Sequence, residues 1–346
     1  MKILSYRLIP SVKILIVLVA PLVFGFISLF TGAYDISFGE VLRLLLYGIS
    51  SVLSADQINL QVIPEYGIIW DLRIPRVFLS FIVGASLAGA GTVFQAIFKN
   101  PLVDPYILGI SAGAAFGCAI SIGFLEVIPV QVMAFIFGVL AVFIAFVLAR
   151  TQGEISRLPL VLSGVIVSAL FTSGVSMIKF LIDPHRLQSI VYWLMGSFTL
   201  ADWKGVKTGL LGLLLGMGPV FLMRWRLNVL SLGEEEAKLL GINVKRDRFL
   251  FIGFAILSVA VATSLCGIIG WVGLIVPHLI RMFIGADHKI LVPLSITGGG
   301  AFMIVADTIA RNLTSFDIPV GIITAILGAP FFVYLMKRGG KEAWGK

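Results

Sequence analysis

Phe249-Leu-Phe-Ile-Gly-Phe-Ala-Ile-Leu-Ser-Val-Ala-Val-Ala-Thr-Ser-Leu-Cys-Gly-Ile-Ile-Gly-Trp-Val-Gly-Leu-Ile-Val-Pro-His-Leu-Ile280 runs for 32 residues without Asp, Glu, Lys or Arg. A helix that crosses a bilayer needs about 20 apolar residues. The run is therefore too long for one span. Gly267-Ile-Ile-Gly270 is the natural break, and it splits the run into two spans, the second ending near 284. That break decides whether the chain crosses the membrane an odd or an even number of times. Other charge-free runs lie at 14–34, 77–98, 105–125, 127–149, 158–178, 208–223, 290–306 and 318–336. The total is ten.

The composition agrees. The chain is 59% hydrophobic and 13% charged, with mean hydropathy +1.05. This is the composition of a polytopic membrane protein, not of a soluble one. The expected fold is all-α, with ten transmembrane helices in a single domain, 1–346. The segment 187–201, with Gln188, Tyr192 and Trp193, reads as an interfacial helix. The first apolar run is too long for the core of a signal peptide and reads as a retained span. Residues 36–48 have apolar spacing near that of a helix at the membrane surface. The stretch after it, with Pro64, Gly67 and Pro75, reads as loop.

Ten spans put both termini on one side. With the N-terminus inside, 18 of the 26 Lys and Arg residues fall at cytoplasmic ends. Arg43, Arg73, Arg76, Lys179, Arg186, Lys204, Lys207 and Arg311 are the other eight. This bias sets the orientation and accounts for the net charge of +8 without a nucleic-acid partner. Cys118 and Cys266 both fall within spans and suggest neither a disulfide framework nor a metal site.

The second half holds one polar island, Ser231-Leu-Gly-Glu-Glu-Glu-Ala-Lys-Leu-Leu-Gly241. Ser231 and Glu234 have capping-box spacing. Three glutamates follow at the positive end of a helix dipole, and Glu234 can pair with Lys238. Gly241 is a stop signal. The spacing predicts a short charged helix over about 231–242, placed to touch something outside the membrane.

No span carries a carboxylate near its centre, which disfavours a stand-alone secondary transporter. No nucleophile–acid–base cluster supports a membrane-embedded enzyme. The G-x-x-x-x-G-K-[ST] phosphate loop is also missing. Glycine is abundant, with 37 residues. Gly109, Gly113 and Gly117 at i,i+4 spacing fit close helix packing or a smooth uncharged solute path. Gly84, Gly89 and Gly91 before Asn100-Pro101 have a faint echo in Gly267, Gly270 and Gly273 before Pro277-His278.

These residues together resemble the permease subunits of type II ABC importers, which take up iron–siderophore complexes, haem and vitamin B12. The resemblance covers Leu72 to Met336. It rests on Leu72-Arg-Ile-Pro-Arg76, Gly84-Ala-Ser-Leu-Ala-Gly-Ala-Gly91 with Gln95, Asn100-Pro-Leu-Val-Asp-Pro105 and Leu108-Gly-Ile-Ser-Ala-Gly113. It continues through Tyr192-Trp-Leu-Met-Gly196, Gly233-Glu-Glu-Glu-Ala237 with Leu240-Gly241, and Gly273-Leu-Ile-Val-Pro-His278. It ends with Ala306-Asp-Thr-Ile-Ala-Arg311, Ile318-Pro-Val-Gly321 and Leu327-Gly-Ala-Pro330.

The resemblance implies a homodimer with the pathway between subunits, two separate ATPase chains inside, and a solute-binding protein outside. It implies no cofactor on this chain, since ATP and magnesium would sit on the ATPase. By resemblance, Gly233, Glu234, Glu235, Glu236, Ala237, Leu240 and Gly241 dock on the ATPase, the alternative being a solvated loop. Arg73, Arg76 and Arg311 meet acidic residues of the binding protein, the alternative being snorkelling at the interface. The candidate pathway and gate residues are Gly89, Gly91, Gln95, Asn100, Pro101, Asp104, Pro105, Gly273 and Pro277. For the 100–105 motif, the alternative is a proline-bounded turn. The expected cargo is an iron chelate, haem or a corrinoid, with a cobalamin-specific importer as the alternative within the family.

Overall fold

The computed structural model describes residues 2–32, 34–54, 64–151, 154–155, 157–232, 234–314 and 316–338. The expected loop at 56–63, Gly233 and the tail beyond 338 lie outside the described residues. In chain order the helices are α1 (Lys2–Leu29), α2 (Phe38–Ser54), α3 (Pro64–Gly67), α4 (Ile74–Phe98), α5 (Ile110–Phe124), α6 (Val130–Ala149) and α7 (Arg157–Leu181). Then come α8 (Pro184–Leu194), α9 (Trp203–Ser231), α10 (Glu234–Leu239), α11 (Val244–Cys266), α12 (Val272–Ile284), α13 (His288–Asn312) and α14 (Val320–Arg338). One two-residue antiparallel pair, Arg150–Thr151 with Glu154–Ile155, closes the turn between α6 and α7.

The break in the long apolar run falls where its glycines placed it. The helix α11 stops at Cys266 and α12 starts at Val272. Among the described residues, seven helices are long and apolar enough to cross a membrane, and three shorter apolar helices (α5, α12 and α14) complete ten. Side chains fix several starts. Asp183 accepts from the backbone of His185 and Arg186 before α8, and Asp202 from Gly205 before α9. Asn243 accepts from Arg246 before α11, and Asp287 from Lys289 before α13. Each offsets one unpaired N–H of a first turn.

Several boundaries differ from the sequence reading: α2 runs on to Ser54, and the interfacial helix expected at 187–201 is α8, Pro184–Leu194. The stretch 64–76 is helical, not loop. It runs from α3 through a π-helical turn, Ile68–Arg73, into α4. Pro64 opens this helix, where a missing N–H costs nothing, and Pro75 follows directly on the π-helical turn. The helix α5 also begins late, at Ile110, so 105–109 is not helical.

The centre of the subunit is α4. From Leu79 to Phe98 it is buried almost throughout. It packs on α9, α11, α12 and α13. Gly84 and Gly299 allow α4 and α13 to touch backbone to backbone. A Cβ on Gly84 would lie 2.1 Å from Gly299 O, and one on Gly299 would lie 2.3 Å from Gly84 O.

The helices α5 and α12 are only 15 and 13 residues long. At 1.5 Å per residue they span about 22 and 20 Å, less than the ~30 Å apolar core of a bilayer. Two non-helical segments, 99–109 and 267–271, make up the difference, and they meet. The hydroxyl of Tyr106 lies 3.2 Å from Thr263 Oγ1 and accepts from Ile269 N at 3.4 Å. A Cβ on Gly273 would fall 2.5 Å from the Pro105 ring and 3.0 Å from Leu87 O. Pro105 therefore stands beside the middle of α4, roughly 15 Å from its C-terminal end. Irregular backbone at that depth is tolerated because it is enclosed by protein. The glycine echo is corrected accordingly. Gly84, Gly89 and Gly91 lie inside a continuous helix, whereas Gly267 and Gly270 lie in a loop.

Candidate functional site: the projecting helix, the outer charge cluster and the central seam

The polar island forms α10, which connects α9 to α11 at the end of the bundle shared by the C-terminus of α4 and the N-terminus of α13. Its stop is a Schellman motif. Gly241 N donates to Lys238 O at 3.0 Å, Ile242 N donates to Ala237 O at 3.1 Å, and Gly241 has φ +76°. Its start departs from the expected capping box. Ser231 is the last residue of α9, and its hydroxyl donates to Leu227 O at 2.8 Å. Glu234 pairs with Arg248 at 2.5 Å, not with Lys238. That hydrogen bond holds the Glu234 carboxyl below its ordinary value of 4.5.

Ala237 is corrected too. It is 1% exposed and belongs to the main apolar core of the chain, so it anchors the helix rather than facing a partner. The face turned outward carries Glu235, Glu236 and Lys238 with Leu239 and Leu240. The two leucines are 88% and 61% exposed. Leu239 escaped the sequence reading. The Schellman geometry required by Gly241 could have found it, because Ala237 and Ile242 must then face inward together.

At the opposite end, the three arginines chosen for docking are all engaged within the chain. The Nη1 and Nη2 of Arg73 donate to Leu29 O at 2.7 Å and Tyr34 O at 2.5 Å. Arg76 grips Asp307 through Nε and Nη2 at 2.9–3.1 Å and gives Nη1 to Asp317 at 2.6 Å. Arg311 donates to Ser28 O at 2.6 Å and to its hydroxyl, with Nε 3.9 Å from Asp307. Arg73 and Arg311 are buried. They are neither free docking cations nor snorkelling ones. Together they tie α1, α4, α13 and the 313–319 connection into one cluster. Asp317 extends it by accepting from Thr199 at 3.2 Å. Thr199 in turn bonds the hydroxyls of Tyr192 and Ser197. Asp307 and Asp317 were not singled out from sequence, although the one-turn spacing of Asp307 and Arg311 was visible there. Lys204 and Lys207, in the first turns of α9, are exposed.

The candidate gate residues fall into two groups. Gly89, Gly91, Gln95 and Gly273 lie inside the subunit. A Cβ on Gly91 would sit 2.0 Å from Gly273 O. Gln95 Nε2 donates to that same oxygen at 3.2 Å and receives Arg281 Nη2 at 2.8 Å. Gly91, Gln95 and Gly273 build the α4–α12 contact, whereas Gly89 faces Met217 of α9 and Ile296 of α13. Pro277 is buried within α12. The second group is the turn. Asn100 Oδ1 accepts from Leu102 N at 2.9 Å, and Asp104 Oδ1 from Tyr106 N at 2.7 Å. Pro101 and Pro105 lie in this turn of two successive Asx bends, and Pro105 abuts Gly273. Likewise Gly113 and Gly117 let α5 meet the backbone of α6 at Phe137 and Met133.

Known proteins share this arrangement. The chain is 44% identical over 271 residues to a Helicobacter pylori protein described as a probable iron chelatin transport system permease, covering 78% of this chain and 82% of that one. It is 40% identical over 321 residues to the molybdate import permease MolB of Haemophilus influenzae, covering 91% and 93%. A solved inward-facing structure, described as that of a metal-chelate type ABC transporter, superposes with TM-score 0.82. Its sequence identity is 35%, over 95% of this chain and 99% of that one. The model of the FecCD transport family matches residues 18–338. With ten apolar helices, a polar helix projecting between α9 and α11, and this match across nearly the whole length, the chain belongs to the FecCD transport family, a family of ABC transport permeases.

Proposed function

We propose that this chain is the membrane subunit of an ATP-driven importer for an intact iron chelate. It works as a homodimer, with two ATPase chains on the cytoplasmic side and a solute-binding protein outside. The observation that carries the reading is α10. It is a short helix rigidly fixed by Ala237, Ile242 and the Glu234–Arg248 pair, yet it presents two bare leucines among charges. Such a helix suits the groove of a partner, and the ATPase is the partner this family implies. Both termini lie in the cytoplasm of a cell whose inner membrane holds the chain. The outer cluster adds to the positive-inside argument, because three of the eight outer cations are neutralised or buried by their own chain.

The iron-chelate reading is supported by the Helicobacter pylori relative. A small oxyanion is the second reading, carried by the molybdate permease, which matches over more of the chain. The test is uptake into proteoliposomes containing permease, ATPase and loaded binding protein. Ferric-siderophore uptake that excess molybdate leaves untouched supports the first reading. Molybdate uptake without ferric uptake replaces it with the second. Uptake of either by permease alone removes the ATP-driven reading.

A further inference from the structure

Most glycines in the spans stand close to a backbone or side-chain atom of another element. Gly253, in the tenth position of α11, does not. A Cβ placed there meets nothing within 4 Å. A mid-helix glycine is less favourable than alanine, and no contact within the chain requires it. Gly253 is the floor of a groove between α6 and α11 of about 490 Å³, walled by Phe135, Val139, Phe143, Phe146, Phe249 and Leu257. Phe146 and Phe249 meet edge to face at 6.0 Å. Along α6 the lining runs from Phe135 to Arg150, about 22 Å at 1.5 Å per residue, which covers the ~15 Å depth of one leaflet.

The mouth of the groove carries positive charge. Arg150, at the end of α6, lines it. Arg246 is exposed one turn before Phe249 on the same face of α11. Neither has a carboxylate partner within 4 Å among the described residues. An apolar slot one leaflet deep with two guanidinium groups at the headgroup level matches one ligand class. We propose that this groove binds an anionic phospholipid, with one acyl chain laid over Gly253 and the phosphate between Arg150 and Arg246. On the orientation proposed above, the lipid comes from the cytoplasmic leaflet.

The test is native mass spectrometry of the purified full-length permease in detergent mixed with phosphatidylglycerol and phosphatidylcholine. The wild type should retain phosphatidylglycerol preferentially. Arg150→Gln with Arg246→Gln should lower that preference by about fivefold per arginine. Gly253→Leu fills the floor without touching the chain's own packing, and should reduce retention of both lipids while the protein elutes as the wild type does. Equal retention of the two lipids by the wild type overturns the proposal. So does an unchanged preference in the double variant, or full retention by Gly253→Leu. A disulfide between two copies through Gly253→Cys would assign the groove to a second subunit instead. Micelles have no sidedness, so failure here is distinct from failure of the orientation, which cysteine labelling in vesicles reads separately.

Discussion

Arg76 and Asp307 form a doubly hydrogen-bonded pair with the carboxylate almost fully buried. Removing one member of such a pair typically costs 3–5 kcal/mol, because the other is left charged and dry. Asp307→Asn should therefore destabilise the protein in detergent, by less than that full range because Asp317 still pairs with Arg76, and the denaturation midpoint should fall. Arg76→Met with Asp307→Leu should recover much of it. A charge reversal at Arg73, Arg76 or Arg311 will report folding first, so it is a poor probe of docking. By the same logic Ala237→Trp overpacks a core position and should cost about 1–3 kcal/mol. The clean uncoupling variant is Leu239→Glu with Leu240→Glu. Expression and melting should match the wild type, while uptake and stimulation of ATPase by the loaded binding protein both collapse. Full coupling in that variant would remove α10 from the mechanism. Residue types in motif order were legible in the sequence. What each arginine touches was not, since Leu29, Tyr34 and Ser28 are remote from them and two of the three supply only backbone carbonyls.

At the scale of elements, two glycine substitutions should separate packing from vacancy. In Gly91→Ala the new methyl would sit 2.0 Å from Gly273 O, so α4 and α12 must move apart and stability should fall. In Gly253→Ala it meets nothing, and helix propensity alone should raise stability by up to about 1 kcal/mol. Thermal unfolding of both in one detergent checks the pair. The glycines looked alike in sequence because spacing shows a face and not its neighbour. The break at Gly267–Gly270 was legible from length alone. The helical character of 64–76 was hidden because a proline that opens a helix, as Pro64 does, or follows a π-helical turn, as Pro75 does, resembles a proline in a loop. The non-helical stretch 105–109 was hidden because Tyr106-Ile-Leu-Gly109 is as apolar as the span that follows it. The Glu234–Arg248 pair adds a pH dependence of known sign. Its carboxyl is held below the ordinary value, so the tie is present at neutral pH and is lost as pH falls through that lowered value. Protease nicking near α10 should rise only in acid, and Arg248→Gln should remove the pH step.

For the whole molecule, the sorted charges predict sidedness. Single cysteines at Lys204 and Glu235, both exposed, should react with an impermeant maleimide from opposite sides of the membrane. Reaction of both from one side would refute the ten-span alternation. The native cysteines are buried and should stay silent. The ten crossings could be counted from composition, but the enclosure of α4 by its neighbours could not, because a central span and a peripheral one are equally apolar. One residue in the seam also equips the molecule with an optical gauge. Trp271 has φ +74°, and its side chain is pressed against Gly328 of α14, close to the Phe332 ring at 6.4 Å. Sliding of α14 along α12 would change the surroundings of that indole directly. A variant keeping Trp271 as its sole tryptophan would report the motion through its emission colour, with no dye attached.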